Sequence, residues 1–476
     1  VERRSVIATY EVDAASLAAV LGIDAEVAAD RQRRAGLRQG LPFFLDEADA
    51  PIEYVNRWLR QLPAAGCHSP RTWKAYAEDW RTWFLFLRRH EADPLMATRD
   101  HVASFYTERR LEADAPVAPS TWNRSVAALD NFYDWAIEEG LVERSPFSYR
   151  FVIEGGADRS RTGGRRNQAR ERTGRAHASV RWLEGDYTRL FIEVGLGGLT
   201  AHGVEDAAFR GRNHVRNVAF AELLLGAGLR SSEGSHLLLW ELPSPPGSDA
   251  PFVTMELPAG IAKGGKPRTV WVAPSVLARL DSYVRAERAL TEIAWQPKRP
   301  LVVESHDRDG GVLNGRRVRW ANLAIADRER LVLPDGTSPL LFLRDGSRGA
   351  GGPMTGWNAV FEQASERCRA LDPYFPKVTP HVLRHSFAMA TLRFLINQAA
   401  RRIEKIEMWA GREEIAGYWR LHDPLLTLRD LLGHASVTTT QIYLKLADPT
   451  RFVAAGLEDA LTEAEQREAR EEELVA

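Results

Sequence analysis

Cysteine is nearly absent: the chain of 476 residues has two, Cys67 and Cys368. They lie far apart and form no CxxC pair, which argues against a disulfide framework or a cysteine zinc site. No run of about 18 apolar residues is present to cross a bilayer. The first ten residues, VERRSVIATY, carry charges where a signal peptide needs an apolar core. A cytoplasmic protein with no membrane partner is the expectation. Neither sign of charge prevails, because 63 Lys and Arg against 64 Asp and Glu leave a net charge of -1. Bulk charge therefore does not advertise a nucleic-acid partner. No repeat of fixed period occurs, and nothing suggests a nucleotide site.

What is present is the composition of a soluble globular protein, 44% hydrophobic and 27% charged, in a chain long enough for two or three folded units. The charge is segregated. Arg159, Arg161, Arg165, Arg166, Arg170, Arg172, Arg175 and Arg181 crowd one stretch, whereas Glu463, Glu465, Glu468, Glu471, Glu472 and Glu473 crowd the C-terminus.

Residues 1–48 carry weak helical signals, with one amphipathic piece around Leu17, Val20 and Leu21, and read as an N-terminal extension of unknown role. The segment 49–148 reads as a helical bundle. Ser69 can cap a helix with Pro70 at its first position, and Trp73, Tyr76, Trp80, Trp83, Phe84 and Leu87 recur at helical spacing. Thr98 opens a second helix and Ser120 a third, which Gly140 stops. The Gly- and Arg-rich region 149–180 lacks apolar periodicity and reads as a linker or loop. It serves either as a solvated connection or as an arm whose Arg159, Arg161, Arg165, Arg166, Arg170 and Arg172 neutralise phosphates. From 181 to 452 the chain is mixed. A helix over 214–228 is followed by strands over 252–257 and 268–272, joined by the turn Ala262-Lys263-Gly264-Gly265-Lys266, and further helices follow Val382, Thr427 and Val437. The acidic end, 453–476, reads as a helix or a solvated tail. The fold class is mainly α with a small β-sheet (α+β).

The chemistry lies in four segments. They are Gly226-Ala227-Gly228-Leu229-Arg230-Ser231-Ser232-Glu233, the Lys263 hairpin, Thr379-Pro380-His381-Val382-Leu383-Arg384-His385-Ser386-Phe387-Ala388, and Leu431-Leu432-Gly433-His434-Ala435-Ser436 followed by Gln441-Ile442-Tyr443. Each has a plain alternative when taken alone: Arg230 as a surface ion-pair partner, His381 or His434 as a structural histidine, Tyr443 as a core ring. Together, in this order and spacing, they resemble the signature of the tyrosine recombinases, or phage integrases. GLRSSE resembles that family's first arginine box, AKGGK its lysine turn, and HVLRHSFA with LLGHAS its C-terminal boxes. Tyr443 follows the His434 position by nine residues. A zinc site on His381 and His385, at i and i+4, lacks the intervening glutamate of HExxH and has Arg384 beside it.

The resemblance implies an N-terminal helical core-binding (SAM-like) domain and a catalytic domain that close around duplex DNA. It implies a homotetramer on paired DNA sites, with possible accessory recombinase or directionality proteins, and no cofactor or metal. The implied catalytic set is Arg230, Lys263, His381, Arg384, His434 and Tyr443. Arg230 and Arg384 would clamp the scissile phosphate, since guanidinium stays charged and donates paired hydrogen bonds. His381 would assist proton transfer at the nucleophile and His434 would bond a phosphate oxygen. Tyr443 would form a 3′-phosphotyrosine, and Lys263, with Lys266 as the fallback, would protonate the leaving 5′ oxygen. A type IB topoisomerase or a non-catalytic DNA-binding relative are the rivals. The chain departs from the family pattern in a segment, 397–424, that looks like an insertion, and in Ala262, where glycine is usual.

Overall fold

The computed structural model describes residues 6–10, 14–67, 69–154, 162–171, 180–243, 252–346, 349–407 and 423–446. The chain divides into two compact units, Val1–Gly174 and Arg175–Ala476.

The first unit opens with β1 (Val6–Thr9), α1 (Ala14–Leu21), α2 (Ala25–Arg34) and β2 (Pro42–Leu45). α3 (Glu53–Gln61), α4 (Pro70–Arg89), α5 (Arg99–Tyr106) and α6 (Pro119–Glu138) follow. The hairpin β3 (Tyr149–Glu154) and β4 (Thr162–Asn167) comes last. Aromatic residues at helical spacing make the core. Trp58, Trp80, Trp83, Phe86, Phe105, Trp122 and Phe132 are each 1% exposed or less, and such ring pairs add about 0.5–1.5 kcal/mol apiece beyond their buried area. Of the indole N–H groups buried here, that of Trp80 has no acceptor among the described residues, whereas others find one. Trp83 Nε1 donates to Tyr133 Oη at 2.9 Å, and Tyr133 Oη donates to the Pro94 carbonyl at 2.8 Å.

Three expectations are corrected in this unit. The described part of the N-terminal extension 1–48 is built into the unit: β1 pairs antiparallel with β2, and Phe44 is fully buried, meeting Trp80 edge-on at 4.9 Å. Asn56 fastens it, accepting from Phe44 N at 2.7 Å and donating to Phe44 O at 3.0 Å. The Arg-rich stretch is not wholly a loop, because its described residues include the β3–β4 hairpin. Finally, Ser69 makes no side-chain cap bond, and α6 starts at Pro119 after Ala118, so Ser120 does not open it. Thr98 does cap α5, its hydroxyl accepting from His101 N.

The second unit begins with α7 (Gly185–Leu190), which runs into a π-turn, then α8 (His214–Ala227) and the one-turn α9 (Ser231–Ser235). β5 (Val253–Leu257) and β6 (Arg268–Val272) pair antiparallel, Met255 opposite Val270. Next come α10 (Pro274–Tyr283) and the short α11 (Ala289–Thr291). β7 (Leu301–His306), β8 (Gly310–Leu313), β9 (Arg316–Arg319), the short α12 (Ile325–Arg328) and β10 (Leu331–Val332) follow. The strands order as β10-β7-β8-β9, with β10 parallel to β7. α13 (Trp357–Leu371), α14 (Pro380–Glu407), α15 (Pro424–Leu432) and α16 (Val437–Leu446) complete the described part. α8 lies inside, with Ala219, Phe220, Ala221, Leu223 and Leu224 all fully buried among α10, α14 and β6. Phe220 stacks on Trp357 at 3.5 Å. This all-round burial explains why α8 shows no clean amphipathic stripe in the sequence.

The sequence reading contained nothing of the β7–β10 sheet. It rests on a separate cluster of Leu238, Val303, Leu313, Trp320, Leu331, Leu340 and Leu343. Of the presumed insertion, α14 occupies the first part, to Glu407; 408–422 lie outside the described residues, as does the acidic end, 453–476. No helix among the described residues is long and apolar enough to cross a membrane.

Candidate active site

Four chain segments reach the site, and two of them end helices on glycine. α8 stops at Gly228 and α15 at Gly433, both left-handed with φ of 62° and 61°, a conformation that costs glycine nothing and other residues about 1–2 kcal/mol. Packing closes the choice at Gly228, since a Cβ there would sit 2.3 Å from the Phe387 ring.

The helix ends expose carbonyls that no helical N–H satisfies and that carry partial negative charge. Arg384 uses them. It is 2% exposed, and its Nη1 donates to the Gly228 carbonyl while Nη2 donates to the Leu432 carbonyl at 2.5 Å. Burial, then repulsion from Arg230, draws Arg384 down to about 9, still protonated at neutral pH. Two of its five N–H donors are thus committed to holding the plane.

Glu233, fully buried, ties the neighbouring cations together. Arg268 donates to both of its oxygens at 3.0 and 2.7 Å, Arg230 Nη1 donates at 2.8 Å and Arg230 N at 2.8 Å. Arg384 Nη1 lies 4.0 Å from it. Burial would raise this carboxyl, but the Arg268 bonds and the Arg268 and Arg230 charges outweigh it and hold Glu233 at about 2. Arg268 is spent on structure, its Nε donating to the Leu431 carbonyl at 3.0 Å. The Arg230 side chain keeps 23% exposure.

α14 begins after Thr379, whose hydroxyl accepts from Val382 N at 3.4 Å. Its first turns carry His381, Arg384 and His385, and spacings of three and four residues put them on one face. α16 brings Tyr443 to them. Its ring is 3% exposed, and its hydroxyl lies 2.7 Å from His385 Nδ1. Burial raises the Tyr443 hydroxyl, opposed by the charges of Arg384 and Arg230. Burial and the neighbouring His381 and Arg384 depress His385 to about 4, and burial with Arg384 and Arg230 depresses His434 to about 4. Both are neutral at pH 7. His434 Nδ1 is 3.0 Å from Thr440 Oγ1, and its ring lies parallel to Tyr443, with centroids 6.4 Å apart.

Lys263 is exposed on the β5–β6 connection, where Gly264 and Gly265 take φ of 74° and 68°. Its charge acts on His381, whose pKa is lowered by burial, Arg384, Arg230 and Lys263. Ala262 is 7% exposed and packs into the core. Among the described residues no group of three His, Cys, Asp or Glu side chains is gathered as a metal site requires.

Residues 55–140 match the family model "Phage integrase, N-terminal SAM-like domain". The tyrosine recombinase XerC of Nitrobacter winogradskyi is 25% identical over 405 residues, covering 82% of this chain and 88% of the relative. XerC of Bradyrhizobium diazoefficiens is 24% identical over 412 residues, with 84% and 91% covered. That of a Methylobacterium strain is 30% identical over 241 residues, with 51% and 48% covered. Over most of its length the chain is similar to these tyrosine recombinases. Among solved structures, the XerH site-specific recombinase bound to difH substrate is 14% identical with a TM-score of 0.43, covering 84% of this chain and 83% of that one, too loose a likeness to argue from.

Of the residues that the recombinase resemblance named, Arg230, His381, Arg384, His434 and Tyr443 are gathered in one site, with Lys263 in electrostatic reach of His381. One assignment changes. His381 was expected beside the nucleophile, but the residue at the Tyr443 hydroxyl is His385, one helical turn farther along α14. His381 instead packs edge-on against His385 at 4.2 Å. Glu233, Arg268 and His385 were not assigned as site residues. Glu233 stood in the quoted GLRSSE segment, and its spacing of three from Arg230 signals a capping bond. Arg268 had no signal beyond a charge opening a buried strand.

The DNA-binding candidates do not form one group. Arg165 is half committed, stacked on Tyr149 at 3.3 Å and 3.2 Å from Asp134. Arg166 and Arg170 are exposed in the first unit and Lys266 is exposed beside the Lys263 turn. Arg159, Arg161 and Arg172 lie outside the described residues.

Proposed function

We propose that this chain is a site-specific DNA recombinase that cleaves and rejoins strands through a 3′-phosphotyrosine at Tyr443, without metal or nucleotide. The observation that carries the reading is the buried Tyr443 hydroxyl, 2.7 Å from a neutral His385 and under the charges of Arg384 and Arg230. In this reading the hydroxyl gives its proton to His385 Nδ1 as its oxygen attacks the scissile phosphorus. Arg230 and Arg384 meet the growing negative charge, each already held by groups other than the substrate, so little reorganisation is needed. Thr440 donating to His434 Nδ1 leaves the His434 proton on Nε2, free for a phosphate oxygen. His381, influenced by Arg384, Arg230 and Lys263, acts on the phosphate side. Lys263 protonates the departing 5′ oxygen. The bond broken is the phosphorus–O5′ ester and the bond formed is phosphorus–Tyr443 oxygen, so ester energy is kept and a partner strand's 5′-hydroxyl can reverse the step.

Duplex DNA is the partner, and two DNA sites held by a homotetramer, with accessory or directionality proteins, fit the same chemistry. The test is a nicked half-site from the element that carries the gene. Wild-type protein is expected to be trapped covalently, and Tyr443→Phe to bind without trapping. Trapping by Tyr443→Phe would refute the assignment. Exchange between two sites, rather than relaxation of one duplex, separates recombinase from topoisomerase.

A further inference from the structure

The β3–β4 hairpin carries an arrangement that the catalytic site does not use. Antiparallel pairing sets Arg150 directly opposite Arg166, and like charges in that position repel. Neither guanidinium has a hydrogen bond or ion pair among the described residues, whereas the next arginine, Arg165, is stacked and paired. Arg150, Arg166, Asn167, Gln168 and Arg170 line one cleft of about 360 Å³. All but Asn167 are exposed.

Asn167 decides what the cleft is for. It is 4% exposed, and its side-chain oxygen accepts from Ala169 N at 2.9 Å. That bond fixes the amide orientation, so the other atom is the donor, Nδ2, and Nδ2 is buried with no acceptor. An unmet buried donor costs about 1–3 kcal/mol. Three cations around one cleft, together with a lining residue whose buried N–H donor lacks an acceptor, ask for an anion with several acceptor oxygens.

We propose that this cleft binds a backbone phosphate of duplex DNA, as a second contact outside the catalytic site. The inference rests on the reading of the chain as a DNA enzyme, which supplies the ligand class. The contact carries no base information and sets affinity and register instead.

The test is binding of the full chain to a labelled duplex of arbitrary sequence across a salt series. Arg150→Ala with Arg166→Ala is expected to weaken binding several-fold and to make the slope of log K against log salt less negative by about 0.9, one phosphate contact. Asn167→Asp keeps the bond to Ala169 N but puts a charged oxygen where the amide donated, and it should weaken binding comparably with an unchanged melting temperature. Arg33→Ala with Arg34→Ala removes the same charge from exposed positions of α2 and should leave the slope as in wild type. An unchanged slope for the hairpin pair, or an equal loss for the α2 pair, overturns the site. Wild-type binding without covalent trapping would sink the recombinase reading while leaving the hairpin result to stand. Failure of the wild type to bind any duplex would sink both.

Discussion

Replacing Glu233 with Gln should remove more stability than any other change of similar size in the second unit. The carboxylate is fully buried and accepts four hydrogen bonds, two from Arg268 and two from Arg230. A carboxyl held at about 2 rather than 4.5 corresponds to about 3 kcal/mol at pH 7, at about 1.4 kcal/mol per pH unit. The independent expectation for breaking a buried ion pair, about 3–5 kcal/mol, agrees. Gln also presents an N–H₂ where one guanidinium needs an acceptor. Because the folded carboxyl titrates below the unfolded one, its contribution is complete above about pH 4.5 and is lost as pH falls through about 2. Urea unfolding of wild type and Glu233→Gln should therefore differ by about 3 kcal/mol at pH 7 and by only about 1 kcal/mol at pH 3. A difference below about 1 kcal/mol at pH 7, or one that does not shrink toward pH 3, would refute the account of Glu233 as the charge that holds these arginines together.

Other outcomes follow from the same geometry. Gly228→Ala combines a left-handed backbone with a Cβ 2.3 Å from Phe387 and should cost about 2–4 kcal/mol by thermal or denaturant melting. Arg384→Ala should slow covalent trapping about 10²–10³-fold, measured as single-turnover rate at saturating DNA, because it removes preorganised positive charge; a near wild-type rate would contradict the clamp. His385 and His434 sit at about 4, below the ordinary 6.5. Their neutral forms thus favour folding fully above about pH 6.5, and that contribution declines as pH falls toward 4; NMR titration should find neither imidazole protonating near 6.5. Asn56→Ala strands Phe44 N and O inside the first unit and should destabilise it by about 2–3 kcal/mol in hydrogen-exchange or melting measurements.

The sequence by itself determined the resemblance to tyrosine recombinases, the helices of the first unit and the β5–β6 turn, for local reasons. Trp73, Trp80, Trp83 and Leu87 mark a helix face by spacing alone, and Gly264 and Gly265 meet a backbone demand that few other residues can. Arg230, Arg384, His434 and Tyr443 were legible because the segments that hold them resemble the recombinase boxes in order and spacing. Only the tertiary structure decided what lies between distant segments. Arg384 is held by the carbonyls of Gly228 and Leu432, 156 and 48 positions away, and backbone oxygens carry no letter in the sequence. The same holds for Arg268 at Glu233, for His385 rather than His381 at the Tyr443 hydroxyl, and for Phe44 in an aromatic core from a segment that reads as an N-terminal extension of unknown role. Periodicity reports the face an element buries, whereas its partner is set by packing among residues far apart along the chain, where hydrophobic burial has no direction and only shape and unmet polar groups choose.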